Sequence, residues 1–231
     1  MTPPETAFTM ANMYGLIFDM DGVLIDSAEP HWQSWRRLAG ELGCELSEEG
    51  FTQTFGRQNR DIIPFFFGHD DEPTIRRLGD RKEELYREII RDRIPAMDGA
   101  VDLVRACHDA GFALAIGSSG PPENINLVLQ GLQIEPLFRA VITSKQVTCG
   151  KPDPQVFNLA AAGLGISTDR CAVIEDAPAG VEAALSAGAA AIALTGTHPP
   201  EALVAAHRVV SSLRELSPAS IRNLIQSFDV A

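Results

Sequence analysis

Two aspartates separated by a single residue, Asp19 and Asp21, follow the apolar run Tyr14-Gly-Leu-Ile-Phe18 and are closed by Gly22. A carboxylate in such a place can act as nucleophile, as acid or base, or as ligand to a hard cation. Comparable polar residues follow three further apolar runs: Ser118 and Ser119, then Lys151, then Glu175 and Asp176. Carboxylates gathered from distant segments repel one another unless a cation sits among them. An oxygen-only set without histidine points to Mg²⁺ as that cation. A lone lysine with hydroxyl and backbone donors suits a phosphoryl group, whose transfer requires charge neutralisation and in-line positioning. An aspartate can itself take the phosphoryl group, forming an aspartyl-phosphate.

These residues share a site only if the elements before them end at one edge. The runs Tyr14–Phe18, Phe112–Gly117, Ala140–Thr143, Cys171–Ile174 and Ala189–Leu194 read as buried strands, with Arg208–Ser211 as a short edge strand. Helical patterns separate them over Asp98–Ala110, Pro122–Gln130, Pro154–Ala162 and Ala179–Ala187, with Gly163 and Gly188 as stops. Strands alternating with helices imply a parallel sheet covered on both faces, an α/β Rossmann-like core. Ligands bind such a sheet at the carboxyl ends of its strands. Between the first two strands the rhythm breaks. There, helices are expected over His31–Leu42 and Glu72–Ile90 without a strand, which implies an inserted α-helical cap. The expected organisation is a tail over 1–13, a catalytic core over 14–27 and 95–231, and a cap over 28–94, with the active site between core and cap.

Four motifs carry a resemblance. Asp19-Met-Asp-Gly-Val-Leu-Ile-Asp-Ser27 resembles the first motif of the haloacid dehalogenase superfamily. Ser118, Gly150-Lys-Pro-Asp153 and Ile174-Glu-Asp-Ala-Pro-Ala-Gly180 resemble its second, third and fourth motifs, in order. The pattern is most similar to the β-phosphoglucomutase-like branch, and the insertion stands where that superfamily's first-class cap belongs. The resemblance implies that Asp19 attacks phosphorus and binds Mg²⁺. It makes Asp21 the proton donor and acceptor, its backbone carbonyl a further metal ligand. Ser118, Ser119 and Lys151 would hold the phosphoryl oxygens. Asp176 would complete the metal shell, with Glu175 as a ligand or a water-mediated partner. In the cap, His31 and Lys82 match a mutase pair that couples substrate binding to proton transfer. The mutase arginine that grips a second phosphate falls at Asn59, with Arg57 or Arg60 as substitutes. Dehalogenases lack an acid at the position of Asp21, so dehalogenation is disfavoured.

Plainer roles exist for each residue. Asp19 and Asp21 also suit a turn after a strand, Glu175 and Asp176 a cap for the helix near Pro178, and Ser119 an N-cap. Lys151 alone would be a solvated surface residue, and His31 a half-buried neighbour of Trp32 and Trp35. Phe65, Phe66 and Phe67 read as cap core or domain packing. The expected activity is hydrolysis of a small phosphorylated metabolite, most simply a sugar phosphate, through a phospho-Asp19 intermediate. The alternatives are a β-phosphoglucomutase and a non-enzymatic module that stores phosphate on Asp19.

The rest of the sequence sets bounds. A formal net charge of -12 over 231 residues opposes a nucleic-acid partner. No run approaches the roughly 20 apolar residues of a membrane span, and the first twelve residues do not read as a signal peptide. Four scattered cysteines, Cys44, Cys107, Cys149 and Cys171, suit free thiols in a reducing cytoplasm. A monomer is expected.

Overall fold

The computed structural model describes residues 13–54 and 58–228. Six parallel strands form one sheet: β1 (Gly15–Phe18), β2 (Ala113–Gly117), β3 (Phe138–Ile142), β4 (Cys171–Glu175), β5 (Ala190–Leu194) and β6 (Arg208–Val210). Their spatial order is β3-β2-β1-β4-β5-β6. The chain therefore runs outward from β1 in one direction, then returns to continue in the other from β4. This reversal between β1 and β4 is the switch point at which a doubly wound sheet opens a crevice at its carboxyl edge. Register sharpens the placement. Phe18 pairs with Ile174, and the Asp19 amide donates to the Ile174 carbonyl at 3.0 Å, so Asp19 and Glu175 leave neighbouring strands side by side.

β1, β2, β4 and β5 are buried along their whole length, as apolar runs without polar alternation require of strands covered on both faces. On one face, Ile17, Ala113, Ala115, Val173, Ala191 and Ala193 pack beneath α7 (Gln155–Leu164) and α8 (Pro178–Ser186). Alanines on the strands let those helices approach closely. The other side carries α5 (Ala100–Asp109) and α9 (Pro218–Phe228), while α6 (Pro122–Gly131) links β2 to β3.

The sequence reading needs correcting at Gly163. It does not stop α7, which runs on to Leu164 and ends at Gly165 in the left-handed conformation. A β-carbon at Gly163 would lie 2.7 Å from that of Ala140 on β3, so this glycine serves close helix–sheet approach instead. Gly188 does follow the end of α8, with φ +78°. Met13, assigned to a loose tail, is buried against the core. The third strand starts two residues earlier than its apolar run, because Phe138 and Arg139 belong to an edge strand that is only partly buried.

Asp26–Pro95 form a compact unit of their own. It contains α1 (Ala28–Glu41), α2 (Glu48–Thr54), α3 (Asn59–Phe67) and α4 (Glu72–Ile90). The last matches its expected bounds, with Asp71 as N-cap accepting from the Thr74 amide. The unit's own core joins Trp35, Leu38, Phe51, Ile62, Ile63, Leu78 and Leu85, with Phe66 and Phe67 packed on it. Phe65 is instead 55% exposed. No helix among the described residues is long and apolar enough to cross a membrane.

Candidate active site

Three carboxylates meet at the switch point. Asp19, Glu175 and Asp176 are all buried, and each offers an oxygen within 4.8 Å of the others. Lys151 joins them from the loop after β3: its Nζ donates to Asp19 Oδ1 at 2.7 Å and to Glu175 Oε1 at 2.5 Å. The ammonium also lies over the Phe157 ring, 5.1 Å from its centre. The other Glu175 oxygen accepts from the backbone amides of Asp176, at 2.9 Å, and Ala177, at 3.2 Å. Glu175 thus shapes the entry to α8 without capping it, since Ala177 is the N-cap residue and no side chain caps it.

Two glycines make this packing possible. A β-carbon at Gly22 would lie 1.9 Å from Asp176 Oδ2 and 2.8 Å from Thr197 Oγ1, and the φ of +75° also favours glycine. At Gly180 a β-carbon would lie 1.9 Å from the Glu175 carboxyl carbon. Each glycine is a cradle that a carboxylate fills.

Electrostatics follow from that crowding. Burial raises the Asp19 pKa well above the ordinary carboxylate value; Lys151 opposes the shift, while Glu175, Asp176 and Asp21 add to it. Burial, then Glu175, push Asp176 up to about 7 against the Thr197 hydroxyl and Lys151, which lower it. Burial alone would lower Lys151, but Asp19 and Glu175 more than offset that and raise it. One ammonium does not balance this many carboxylates. The buried set of hard oxygens therefore fits a divalent cation chemically, with Asp19 and Asp176 as the carboxylates whose oxygens are least occupied by protein donors.

Asp21 belongs to the same electrostatic cluster, raising both Asp19 and Asp176. Its Oδ2 and the Ser118 hydroxyl flank Gly120, lying 3.8 Å and 3.3 Å from where a β-carbon would stand. Ser118 is buried at the end of β2, its Oγ accepting from the Gly120 amide at 3.0 Å. Ser119 is exposed, and it is not the N-cap of α6, which is Pro121. Thr197 was missed in the sequence. It stands three residues beyond β5, so extending the carboxyl-edge argument to that strand would have found it.

The remaining residues lie in the helical unit. His31 Nδ1 and Lys82 Nζ are 2.7 Å apart, and the His31 ring stacks on Tyr86 at 4.1 Å between centres. Lys82, only 3% exposed, donates to Glu83 Oε1 at 2.9 Å, and Asn59 Nδ2 donates to the same oxygen at 2.8 Å. Glu83 is held down at about 2: burial opposes this, but Lys82, His31 and the Asn59 amide outweigh it. Sequence reasoning missed Glu83 because an acid next to a lysine on a helix ordinarily faces water. Arg57 lies outside the described residues, and Arg60 is exposed.

Comparison with known proteins supplies a family. A family model described as haloacid dehalogenase-like hydrolase matches residues 14–188. The chain is 30% identical over 211 residues to validoxylamine A 7'-phosphate phosphatase of Streptomyces hygroscopicus subsp. limoneus, covering 87% of this chain and 94% of that protein. It is 31% identical over 208 residues to hexitol phosphatase A of Escherichia coli, covering 88% and 93%. Among solved structures, β-phosphoglucomutase from Clostridium difficile superposes with a TM-score of 0.83 at 27% identity, covering 95% of this chain and all of that one.

Proposed function

The chain belongs to the haloacid dehalogenase-like hydrolase family, and from that premise we propose that it is a magnesium-dependent phosphatase of a small phosphorylated sugar or polyol. The observation that carries this reading is the Lys151 ammonium held between Asp19 and Glu175 beside Asp176. A buried nucleophilic carboxylate, a cation for the phosphoryl oxygens and an acidic metal set then occupy one strand edge.

In this reading, Mg²⁺ would be held by Asp19, Asp176 and the Asp21 backbone carbonyl, with Glu175 as a ligand or a water-mediated partner. When bound, it supplies the positive charge that lets carboxylates and phosphoryl oxygens come together. An Asp19 oxygen attacks phosphorus as the bond to the substrate oxygen breaks, and Asp21 delivers a proton to that leaving oxygen. A water then gives its proton to Asp21 and attacks the same phosphorus. The phospho-Asp19 bond breaks and inorganic phosphate leaves. The third N–H of Lys151 and the Ser118 hydroxyl hold the phosphoryl oxygens, and Ser119 contributes from the rim. His31, Lys82, Asn59 and the arginines Arg57 and Arg60 are the cap's share of substrate selection. The four free thiols suit a reducing cytoplasm.

Phosphoryl transfer to a second sugar hydroxyl, as in a β-phosphoglucomutase, is the competing reading. Hydrolysis is supported by the helical unit, where the lysine is paired with Glu83 and the neutral Asn59 amide is bonded to the same acid. That arrangement is poorly suited to gripping a second phosphate. β-Glucose 1-phosphate separates the two: free phosphate means hydrolysis, glucose 6-phosphate means mutase. Asp19→Asn should abolish steady turnover on a panel of sugar and polyol phosphates with Mg²⁺. Full activity in that variant would overturn the mechanism, and steady phosphate release by the native chain excludes a mere phosphate store.

A further inference from the structure

We infer that Gln155 is a positioning residue for Lys151, its side-chain amide holding the loop 148–151 in the shape that delivers the ammonium to Asp19 and Glu175. The inference rests on the reading of Lys151 as the phosphoryl-holding cation. Thr148, Cys149 and Gly150 are exposed, and no strand ladder orders this stretch. Yet the backbone amides of Thr148 and Cys149 both donate to Gln155 Oε1, at 2.7 Å and 2.9 Å. Gln155 Nε2 donates in turn to Thr148 Oγ1 at 3.1 Å. From the other side, Asp153 Oδ1 accepts from the Gln155 backbone N–H at 2.9 Å, while the Asp153 backbone N–H donates to the Gly150 carbonyl at 3.0 Å. Thr148 and Cys149 are thereby tied directly, and Gly150 through Asp153, to the first residue of α7, two positions before Phe157, whose ring lies beneath the ammonium.

The chemistry of the side chain fits the task. Two converging N–H groups need one strong acceptor, and the adjacent hydroxyl can be served by a donor, which an amide supplies together. A carboxylate would meet the first need and leave only the Thr148 hydroxyl without its donor. An exposed loop with its amides unserved would sample several shapes. Displacement of a reacting or binding group by about 1 Å can cost on the order of a hundredfold.

Inorganic phosphate is the probe, its binding to the full-length chain followed by calorimetry in excess Mg²⁺. Gln155→Ala should weaken phosphate binding about tenfold, as loss of these hydrogen bonds to a binding loop implies. In a Lys151→Ala background the same change should have no further effect, because the group it positions is gone. Gln155→Glu keeps the accepting oxygen and should restore most of the affinity lost in Gln155→Ala. This variant provides the comparison if the alanine chain folds poorly. Unchanged phosphate affinity in Gln155→Ala overturns the inference, as does an equal weakening with and without Lys151. If Lys151→Ala itself leaves phosphate affinity intact, the phosphoryl-holding reading of Lys151 fails, and the inference with it; that outcome is distinguishable from the first two.

Discussion

Gly180 and Glu175 occupy each other's space: a β-carbon on Gly180 would lie 1.9 Å from the Glu175 carboxyl carbon and 2.0 and 2.3 Å from its oxygens. The first turn of α8 is thus shaped around the acid that binds Lys151 and two backbone amides. Gly180→Ala should push that carboxylate aside. Overpacking of this kind costs about 1–3 kcal/mol, and activity should fall with it. Gly40, on α1, is the control. Nothing lies within 4 Å of its β-position, so Gly40→Ala should stabilise by about 0.5–1 kcal/mol. Thermal unfolding of the two variants should therefore shift in opposite directions; a destabilisation by Gly40→Ala as large as that by Gly180→Ala would contradict the packing argument.

Thr197 should matter for the metal rather than for the fold. Its hydroxyl stands beside the Asp176 carboxylate, both groups within 3 Å of where a Gly22 β-carbon would lie, so it is placed to orient an acid assigned to Mg²⁺. Removing a group that orients a ligand typically costs about 10–100-fold in metal affinity. Thr197→Val, close to isosteric, should raise the Mg²⁺ concentration needed for half-maximal thermal stabilisation by at least about tenfold, while Thr197→Ser stays near the native value. EDTA should abolish activity in all three, and added Mg²⁺ should restore it. A native Mg²⁺ response in the valine variant would remove Thr197 from the site.

Much of the core was legible because its chemistry sits at strand ends. Apolar runs that stop at Asp19, Ser118 and Glu175 mark both the strand and its carboxyl edge, so sequence order alone brings these residues to one rim. Helix ends were less legible. Gly163 looks like a terminator by composition, but its role is set by Ala140, 23 residues away in sequence and facing it on β3. α9 went unplaced, as did α2 and α3 within the insertion; α3 is short and carries Pro64, which interrupts the signal that periodicity depends on. Glu83 and Gln155 were invisible for a different reason. Their partners are other side chains and loop amides, and local sequence does not show whether a polar side chain turns inward.

The helical unit should lose stability in acid. Glu83 is lowered from 4.5 to about 2 by Lys82, His31 and the Asn59 amide, which outweigh burial. A depressed carboxylate binds protons more readily when unfolded, so its stabilisation is complete above pH 4.5 and disappears as pH falls from there towards 2. The span corresponds to a contribution on the order of 3 kcal/mol. Glu83→Gln should remove that pH dependence and leave buried Lys82 without its counter-charge, a loss typically of about 3–5 kcal/mol. Both tryptophans, Trp32 and Trp35, lie in this unit, so urea unfolding followed by their fluorescence reports on it directly. A pH profile identical in native and variant chains would show that Glu83 is not the group responsible.

His207, in the sheet-bearing unit, should act as a weaker acid-sensitive latch at the start of β5. Its amide donates to the Ala191 carbonyl at 2.9 Å, and its ring Nδ1 accepts from the Ala191 amide at 2.9 Å. The residue thus fastens the approach to β6 onto the start of β5. A protonated ring nitrogen does not accept, and burial lowers the pKa of His207 below its ordinary 6.5. Because the folded chain then takes up its proton at lower pH than the unfolded chain, this stabilisation is full above about pH 6.5 and declines as pH falls below it. Hydrogen exchange should therefore show the Ala191 amide protected at pH 7.5 and less protected at pH 5, after correction for the intrinsic rate, with β1 and β4 amides unaffected. His207→Phe should abolish the pH difference and leave that amide poorly protected throughout. Equal protection at both pH values in the native chain would mean that the latch carries no measurable share of the β5–β6 edge.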